Sequence, residues 1–479
     1  MRRLWFLAVL LLVGFAVLPW WFPLVEHHDR LPLADVRTFA PKLTQGLLYA
    51  LLVCFLFAVY WLAYRWVQRS SQPPPWWSIL LATTLFGLPL ILTYPINAVD
   101  VFRYFYEGRM LVEFGANPLT TPPNAFSTDP YQPFAAIFFE KTSPYGPLWE
   151  LFGGLIYLLS RDSLLTGLLL FKVAGLAFHL ASGIVIWQLL ASYDLHTRTA
   201  QLLLWLWNPI LLFMFVVDAH NDILMLLCLL LGYRSMRQGQ PALGLTLMAL
   251  SPLVKPIGLL PVPLFAVAAW RQTAGYSQRL RLLLYATLGV TLVTILAFIP
   301  FGSPMPLIRR LIDESQSGTI FSPGAYLFWL GEANGRPLEL PMLGRGASLI
   351  LGTGALILFW LTWRGRLAVR GAADIFTVYL FTALRFRIWY TTWPFPWLVL
   401  DPDNPPRLYT GLWLLLLSHL SVIHYGHLRV AWLDDDMPLA HFIGVPIIFG
   451  LPLLIGLVTN WFTLHKDKQR GKQRVKAEA

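Results

Sequence analysis

Apolar runs of about 18 residues or more, the length at which a helix can cross hydrocarbon, recur from one end of this chain to the other. Inside a bilayer no water is available to the backbone, so each such run must satisfy its own N–H and C=O groups, and helices do this segment by segment. Composition agrees. Of 479 residues, 57% are hydrophobic and 13% charged, and the mean hydropathy is +0.59. A soluble fold of this size has too little polar surface to cover that inventory. The sequence therefore predicts an all-α polytopic membrane protein.

A formal net charge of +11 raises nucleic acid as a partner, yet the basic residues sit in short loops and at the ends. There they mark the cytoplasmic side. The tail "HKDKQRGKQRVKAEA" (465–479) holds six Lys and Arg, and the chain starts "MRRLW". Both termini are expected in the cytoplasm, the expected partner of the basic tail is membrane lipid, and no nucleic-acid partner is expected. Cys54 and Cys228 lie in apolar runs without metal-ligand spacing and read as buried thiols. The first run ends in "LPWWF" with no small-residue cleavage site, which predicts an uncleaved first span.

Spans are expected at 4–22, 45–67 and 77–95, with Arg65 and Arg69 holding the second loop inside. The polar segment 96–146 then emerges as a first extracytoplasmic loop, and 145–160 reads as a re-entrant or interfacial helix. Spans at 163–192 and 199–217 bring "DAHND" (218–222) to the same outer face. After a span at 223–237, the run 242–270 is broken by Pro252, Pro256, Pro261 and Pro263, as two half-helices meeting near Lys255. A span at 282–300 leads to a second long outer loop, 301–346. Spans near 348–364, 371–388, 408–425 and 441–461 and a short segment at 389–400 complete the chain. The total is about 11–14 transmembrane or re-entrant helices, at roughly 20 residues per crossing. The chain reads as one catalytic membrane domain (1–464) with a basic cytoplasmic tail (465–479), and no internal repeat is visible.

Polar islands interrupt the grease. In "INAVDVFRYFYEGRMLVEFGANPL" (96–119), Asp100, Arg103, Tyr104 and Glu107 follow helical spacing and share one face, with Phe102, Phe105 and Tyr106 covering the other. That pattern predicts an amphipathic helix at the outer interface, and its charges equally well satisfy one another. "GANPL" is a helix stop, with Gly115 suited to a left-handed cap and Asn117 to a turn. "DAHND" offers His220 and Asp222, too few ligands for a metal site. Lys255 is the sharpest signal: a lone lysine between prolines in an apolar run marks a site facing a cavity, against the alternative of snorkelling to an interface. Arg385, Arg387 and Tyr390 in "LRFRIWYTTWPFP" form a second cationic island, which interfacial anchoring also explains. Carboxylates and cations on one membrane face suit a lipid-borne anionic substrate, with a carboxylate as base and cations on phosphate.

In order along the chain, "DVFRYFYEGRMLVEFGANPL", "SPYGPLW", "WNPILLFMFVVDAHNDILM" and "SPLVKPIGLLP" resemble the glycosyltransferase C superfamily. Within it the likeness is to bacterial polyprenyl-phosphate-mannose-dependent α-mannosyltransferases. It covers most of residues 77–270, with a weaker echo at "RIWYTTWPFPWL". The resemblance implies the glycosyltransferase C fold and an inverting transferase in the bacterial inner membrane, with its active site extracytoplasmic. A sugar, mannose favoured, would pass from a polyprenyl-phosphate donor to a glycan or glycolipid acceptor. Asp100 matches the acidic residue that deprotonates the acceptor, while Lys255 and Arg385 or Arg387 would stabilise the leaving phosphate. Arg103, Tyr104, Glu107, Asn117, Tyr145, His220, Asp222 and Tyr390 are the further substrate-binding candidates. No cofactor is indicated; some superfamily members use a divalent cation and many do not, and no metal ligands are assigned here. Two competing classes are a flippase or transporter of polyprenyl-linked glycans and a glycan polymerase. The polymerase would use an Arg-rich late loop, here Arg309, Arg310, Arg336 and Arg345. Clustering of the polar groups on one face, without a repeat, favours the enzyme.

Overall fold

The computed structural model describes residues 2–316, 318–319 and 321–462; the basic tail expected at 465–479 lies outside the described residues. Among these residues seven helices are long and apolar enough to cross a membrane. They are α1 (Arg2–Trp21), α2 (Leu43–Arg69), α6 (Leu164–Leu189), α11 (Tyr276–Phe298), α14 (Leu340–Trp363), α16 (Pro405–Trp432) and α17 (Met437–Phe462). The helix pair Leu195–Leu206 (α7) and Pro209–Val217, bent by 43°, brings the number to eight if it forms one crossing. Shorter apolar helices are α3 (Trp76–Ile91), α5 (Pro147–Ser160) and α9 (Pro241–Val254). The remaining helices used below are α4 (Asp100–Glu113), α8 (Asp222–Arg237), α10 (Val262–Gln272), α12 (Met305–Gln316), α13 (Pro323–Ala333) and α15 (Ala368–Thr382). No strand occurs among the described residues, and the protein is a multi-pass integral membrane protein.

The bent pair is the centre of the bundle: every residue from Ala200 to Asp222 is buried. The bend falls where Asn208 caps a new helix, its Oδ1 accepting from Ile210 N at 3.0 Å, and Pro209 occupies the first turn. By contrast α11 and α14 bury only 11% of their apolar windows and show their sides to lipid.

Three sequence expectations are sharpened here. The helix at 100–113 forms, and Gly115 takes the left-handed turn after it (φ 58°). It does not lie half-exposed on an interface, however: Asp100 through Met110 are all buried. The aromatic face that the pattern assigned to lipid packs instead against protein, Phe102 stacking on Phe134 with ring centroids 5.9 Å apart and Phe105 meeting Tyr131 and Tyr157 edge-on. The run 242–270 breaks at Lys255, where the residue is extended (φ −146°, ψ 119°) because the following Pro256 disfavours helix. The segment 301–346, expected as an outer loop, holds α12, α13 and the first turns of α14. In α12 the apolar Leu307, Ile308, Leu311 and Ile312 alternate with charged pairs at helical spacing, a signal the sequence carried openly.

Candidate active site

A cavity of about 780 Å³ opens where the segment 96–146, the break between α9 and α10, helix α12 and the segment 383–393 meet. Among its lining residues are Asp100, Tyr145, Lys255, Arg310, Glu314 and Arg387. Arg103, Arg385, Trp389, Tyr390 and Trp393 also reach it. The size suits a sugar and a phosphate rather than a water cluster.

Asp100 is the first residue of α4, where the helix dipole favours an anion. Its Oδ1 accepts a hydrogen bond of 2.9 Å from the Tyr145 hydroxyl. Burial, then the nearby Asp100 carboxylate, pushes the Tyr145 phenol well above its ordinary range, so Tyr145 stays a donor. Tyr145 is placed by a close approach of backbones. Gly146 N donates to Val254 O at 3.0 Å, and a Cβ on Gly146 would sit 2.2 Å from Leu253 O. Only glycine lets "SPYGPLW" press on the break that ends at Lys255.

The other wall of Asp100 is set by Asp218. Its Oδ1 accepts from Ile96 N (3.0 Å) and Asn97 N (3.2 Å), and its Oδ2 from Asn97 Nδ2 (2.9 Å), so "DAHND" holds the strand of chain leading into α4. Burial raises the Asp218 carboxyl to about 7 against these hydrogen bonds. Lys172, fully buried within α6, donates to Thr93 O (2.8 Å) and to Val217 O, and ties the two polar islands from beneath.

Lys255 is not a solitary cation. Its Nζ donates to both oxygens of Asp222 at 2.9 Å, and Asp222 also accepts from Trp393 Nε1. His220 packs against Trp389 with the rings tilted and centroids 4.2 Å apart, and burial lowers its imidazole to about 4. Asp222 and His220 therefore back the cavity without lining it. Among the described residues no group of three His, Cys, Asp or Glu comes together that could hold a metal ion.

The predicted residues thus divide. Asp100, Arg103, Tyr145, Lys255, Arg385, Arg387 and Tyr390 reach the cavity. Arg103 is mostly occupied elsewhere: Nε donates to Glu107 at 2.6 Å and Nη2 to Lys141 O (3.1 Å) and Thr142 O (2.9 Å). Burial lifts the Glu107 carboxyl, and Arg103 opposes that lift. Tyr104 packs edge-on against Tyr145 at 5.1 Å. Asn117 lies away from the cavity, bonding Leu119 N (2.9 Å) in its own turn and Phe301 O (2.9 Å) ahead of α12. Of the four arginines in 301–346, Arg310 alone lines the cavity. Its partner Glu314 and the buried Lys172 went unmarked in the sequence.

The family model described as alpha-(1->6)-mannopyranosyltransferase, N-terminal domain (MptA_B family) matches residues 3–271. The chain belongs to this family. Alpha-(1->6)-mannopyranosyltransferase A of Mycobacterium tuberculosis is 23% identical over 341 residues, covering 65% of this chain and 63% of that protein. The A protein of Corynebacterium glutamicum is 21% identical over 349 residues, 65% of this chain and 69% of its own length. The B protein of the same organism is 27% identical over 174 residues, 34% of this chain and 28% of its own. The chain so spans less than two thirds of the length of the M. tuberculosis relative. No solved structure matches it. The region matched to the MptA_B family contains Asp100, Tyr145, Asp222 and Lys255, whereas Arg310, Glu314, Arg385 and Arg387 lie beyond it.

Proposed function

We propose that the protein is a mannosyltransferase that moves mannose from a polyprenyl-phosphate donor to a glycan or glycolipid acceptor on the extracytoplasmic face, the described membrane domain acting as one catalytic unit. The observation that carries this reading is the sharing of one 780 Å³ cavity by Asp100, Lys255, Arg385 and Arg387. In the reaction the acceptor hydroxyl gives its proton to an Asp100 carboxylate oxygen as its own oxygen attacks the anomeric carbon. The bond from that carbon to the phosphate oxygen breaks, and the electron pair stays with the lipid phosphate. In-line displacement inverts the anomeric centre, so an α-linked product, as the relatives' names state for them, requires a β-linked donor.

The cations divide the work. Arg387 has no carboxylate partner among the described residues and is the first choice for the phosphate. Lys255, held by Asp222, supplies a fixed positive edge whose position does not change as charge develops. The sidedness follows from the Lys and Arg distribution: Arg65 and Arg69 end α2, and Arg234 and Arg237 end α8, on the expected cytoplasmic side. Both termini would then be cytoplasmic and the cavity extracytoplasmic.

The test is purified protein in nanodiscs, offered a panel of polyprenyl-phosphate sugars and assayed for donor consumption. Consumption of the mannosyl donor with formation of polyprenyl phosphate is expected. Glycan flux across vesicles with no donor consumed would overturn the reading in favour of a flippase.

A further inference from the structure

One wall of the cavity carries a carboxylate that the proposed reaction leaves unused. Glu314 lies on α12 one turn after Arg310, with Oε2 at 2.7 Å from Arg310 Nη2. Its Oε1 is 3.8 Å from Arg385 Nη1, so one carboxylate spans two guanidinium groups from separate parts of the chain. Both arginines and Arg387 line the same cavity. The placement is fixed from behind. Arg310 Nε donates to Thr142 O at 3.2 Å, and the same oxygen accepts from Arg103 Nη2 at 2.9 Å, in the segment that leads to Tyr145.

Guanidinium groups recognise carboxylate and phosphate with the same planar fork of donors. We propose that Glu314 is a tethered stand-in for the lipid phosphate: it holds Arg310 and Arg385 in the empty site, yields them to the donor's phosphate, and retakes them as the lipid phosphate leaves. This rests on the transferase reading above. The charge arithmetic gives the reason for such a device. The donor is a phosphodiester with one negative charge. Cleavage leaves a monoester, whose charge at neutral pH is roughly −1.5 to −2. A cluster of arginines that favours the charge growing on the leaving group therefore grips the product harder than the donor. A carboxylate attached to the same wall competes at constant, high effective concentration and so loosens the product without leaving the site.

The experiment uses the full chain in nanodiscs and farnesyl phosphate, a soluble prenyl monoester, as the product-like inhibitor of mannosyl transfer. Glu314→Gln should lower the inhibition constant by about tenfold, the scale of one charge-assisted contact. KM for the donor and kcat should fall together as product is retained, and Glu314→Asp should keep an inhibition constant near that of the unmutated protein. An inhibition constant that is unchanged or higher in Glu314→Gln overturns the proposal, because a carboxylate that only props the arginines would lose affinity when removed. Carbodiimide labelling of the unmutated protein gives a second measurement that needs no variant. Farnesyl phosphate should increase modification of Glu314 by freeing it, and an equal or smaller yield overturns the proposal. If the unmutated protein neither transfers mannose nor is bound by farnesyl phosphate, the transferase reading itself fails; if it does both and Glu314→Gln binds no tighter, only the stand-in fails.

Discussion

Replacing Asp100 by Asn isolates the proposed proton transfer from everything else the residue does. Asn keeps the shape, and its side-chain carbonyl can still accept the Tyr145 hydroxyl that now bonds Oδ1 at 2.9 Å. What is lost structurally is a charge in the first turn of α4, worth up to about 2 kcal/mol against the helix dipole at a buried position. That is a small fraction of the stability of a buried helix, so insertion should hold and the melting temperature should fall only modestly. What is lost chemically is the acceptor for the hydroxyl proton, and a positioned general base contributes about 10²–10⁴-fold. Mannosyl transfer from a polyprenyl-phosphate donor, followed at saturating acceptor, should therefore show kcat down by about two to four decades. Donor KM should stay nearly constant, since the phosphate-facing groups are elsewhere on the cavity wall. Turnover within about fivefold of the unmutated enzyme would refute the base assignment, being less than a single tenfold step of 1.4 kcal/mol. A loss confined to donor KM would refute it as well, since it would make Asp100 a binding group.

Tyr145→Phe removes the hydroxyl that orients Asp100, and kcat should drop by about tenfold with donor KM unchanged, the size of one hydrogen bond; a change in KM alone would argue against orientation. Lys172→Met strips the Thr93 and Val217 carbonyls of their donor, and thermal unfolding should reveal a loss of about 1–3 kcal/mol; a double variant with Asp218→Asn should lose less than the sum of the two single losses, and additive losses would show that the two do not act together. His220 is held at about 4 by burial, below its ordinary 6.5, so the folded protein resists a proton that the unfolded chain accepts. Its stabilising contribution is present above pH 6.5 and is lost as the pH falls through that window to about 4, by about 3 kcal/mol in all. His220→Phe should flatten the melting temperature over that range, and an unaltered acid limb would count against the assignment.

The architecture was legible because its causes are local. A run of apolar residues long enough to cross, or a proline pair that stops a helix, acts through the backbone it sits on, and the break at Lys255 falls where Pro256 forbids helix. The site was legible only in part because its causes are distant. The spacing of Asp100, Arg103, Tyr104 and Glu107 gave a helix with a polar face, but not that the aromatic face would be covered by Phe134 and Tyr131. Asn117 sits in a pattern that includes Asp100, yet its side chain reaches Phe301 O and steadies the approach to α12. Arg310 and Glu314 are close in sequence and far from Asp100 in number, and only the fold brings α12 to the cavity.

Two lysines show where pattern reading stops and geometry begins. Lys172 and Lys255 are each single cations in long apolar runs, where an ammonium is costly and calls for partners. Lys172 lies mid-helix in α6, where its ammonium meets the backbone carbonyls of Thr93 and Val217 and has no route to a ligand. Lys255 stands where the helix ends, so its ammonium reaches the cavity while Asp222 neutralises it from behind. The difference lies in the prolines beside Lys255, which turn a buried charge into a wall of the site. An unbroken helix makes the same residue a strut. Lys255 consequently adds a permanent field, and its ion pair with Asp222 leaves little of its charge to follow the phosphate as bonds break. Stabilising the charge that develops on the leaving phosphate in the proposed reaction then falls to Arg387, Arg385 and Arg310. These residues lie outside the matched region 3–271, so the proposed base and the cations proposed to meet the leaving group come from different parts of the chain. Exchanging α12 and the 383–393 segment with those of a relative should accordingly alter donor affinity while leaving the fall caused by Asp100→Asn as large as before.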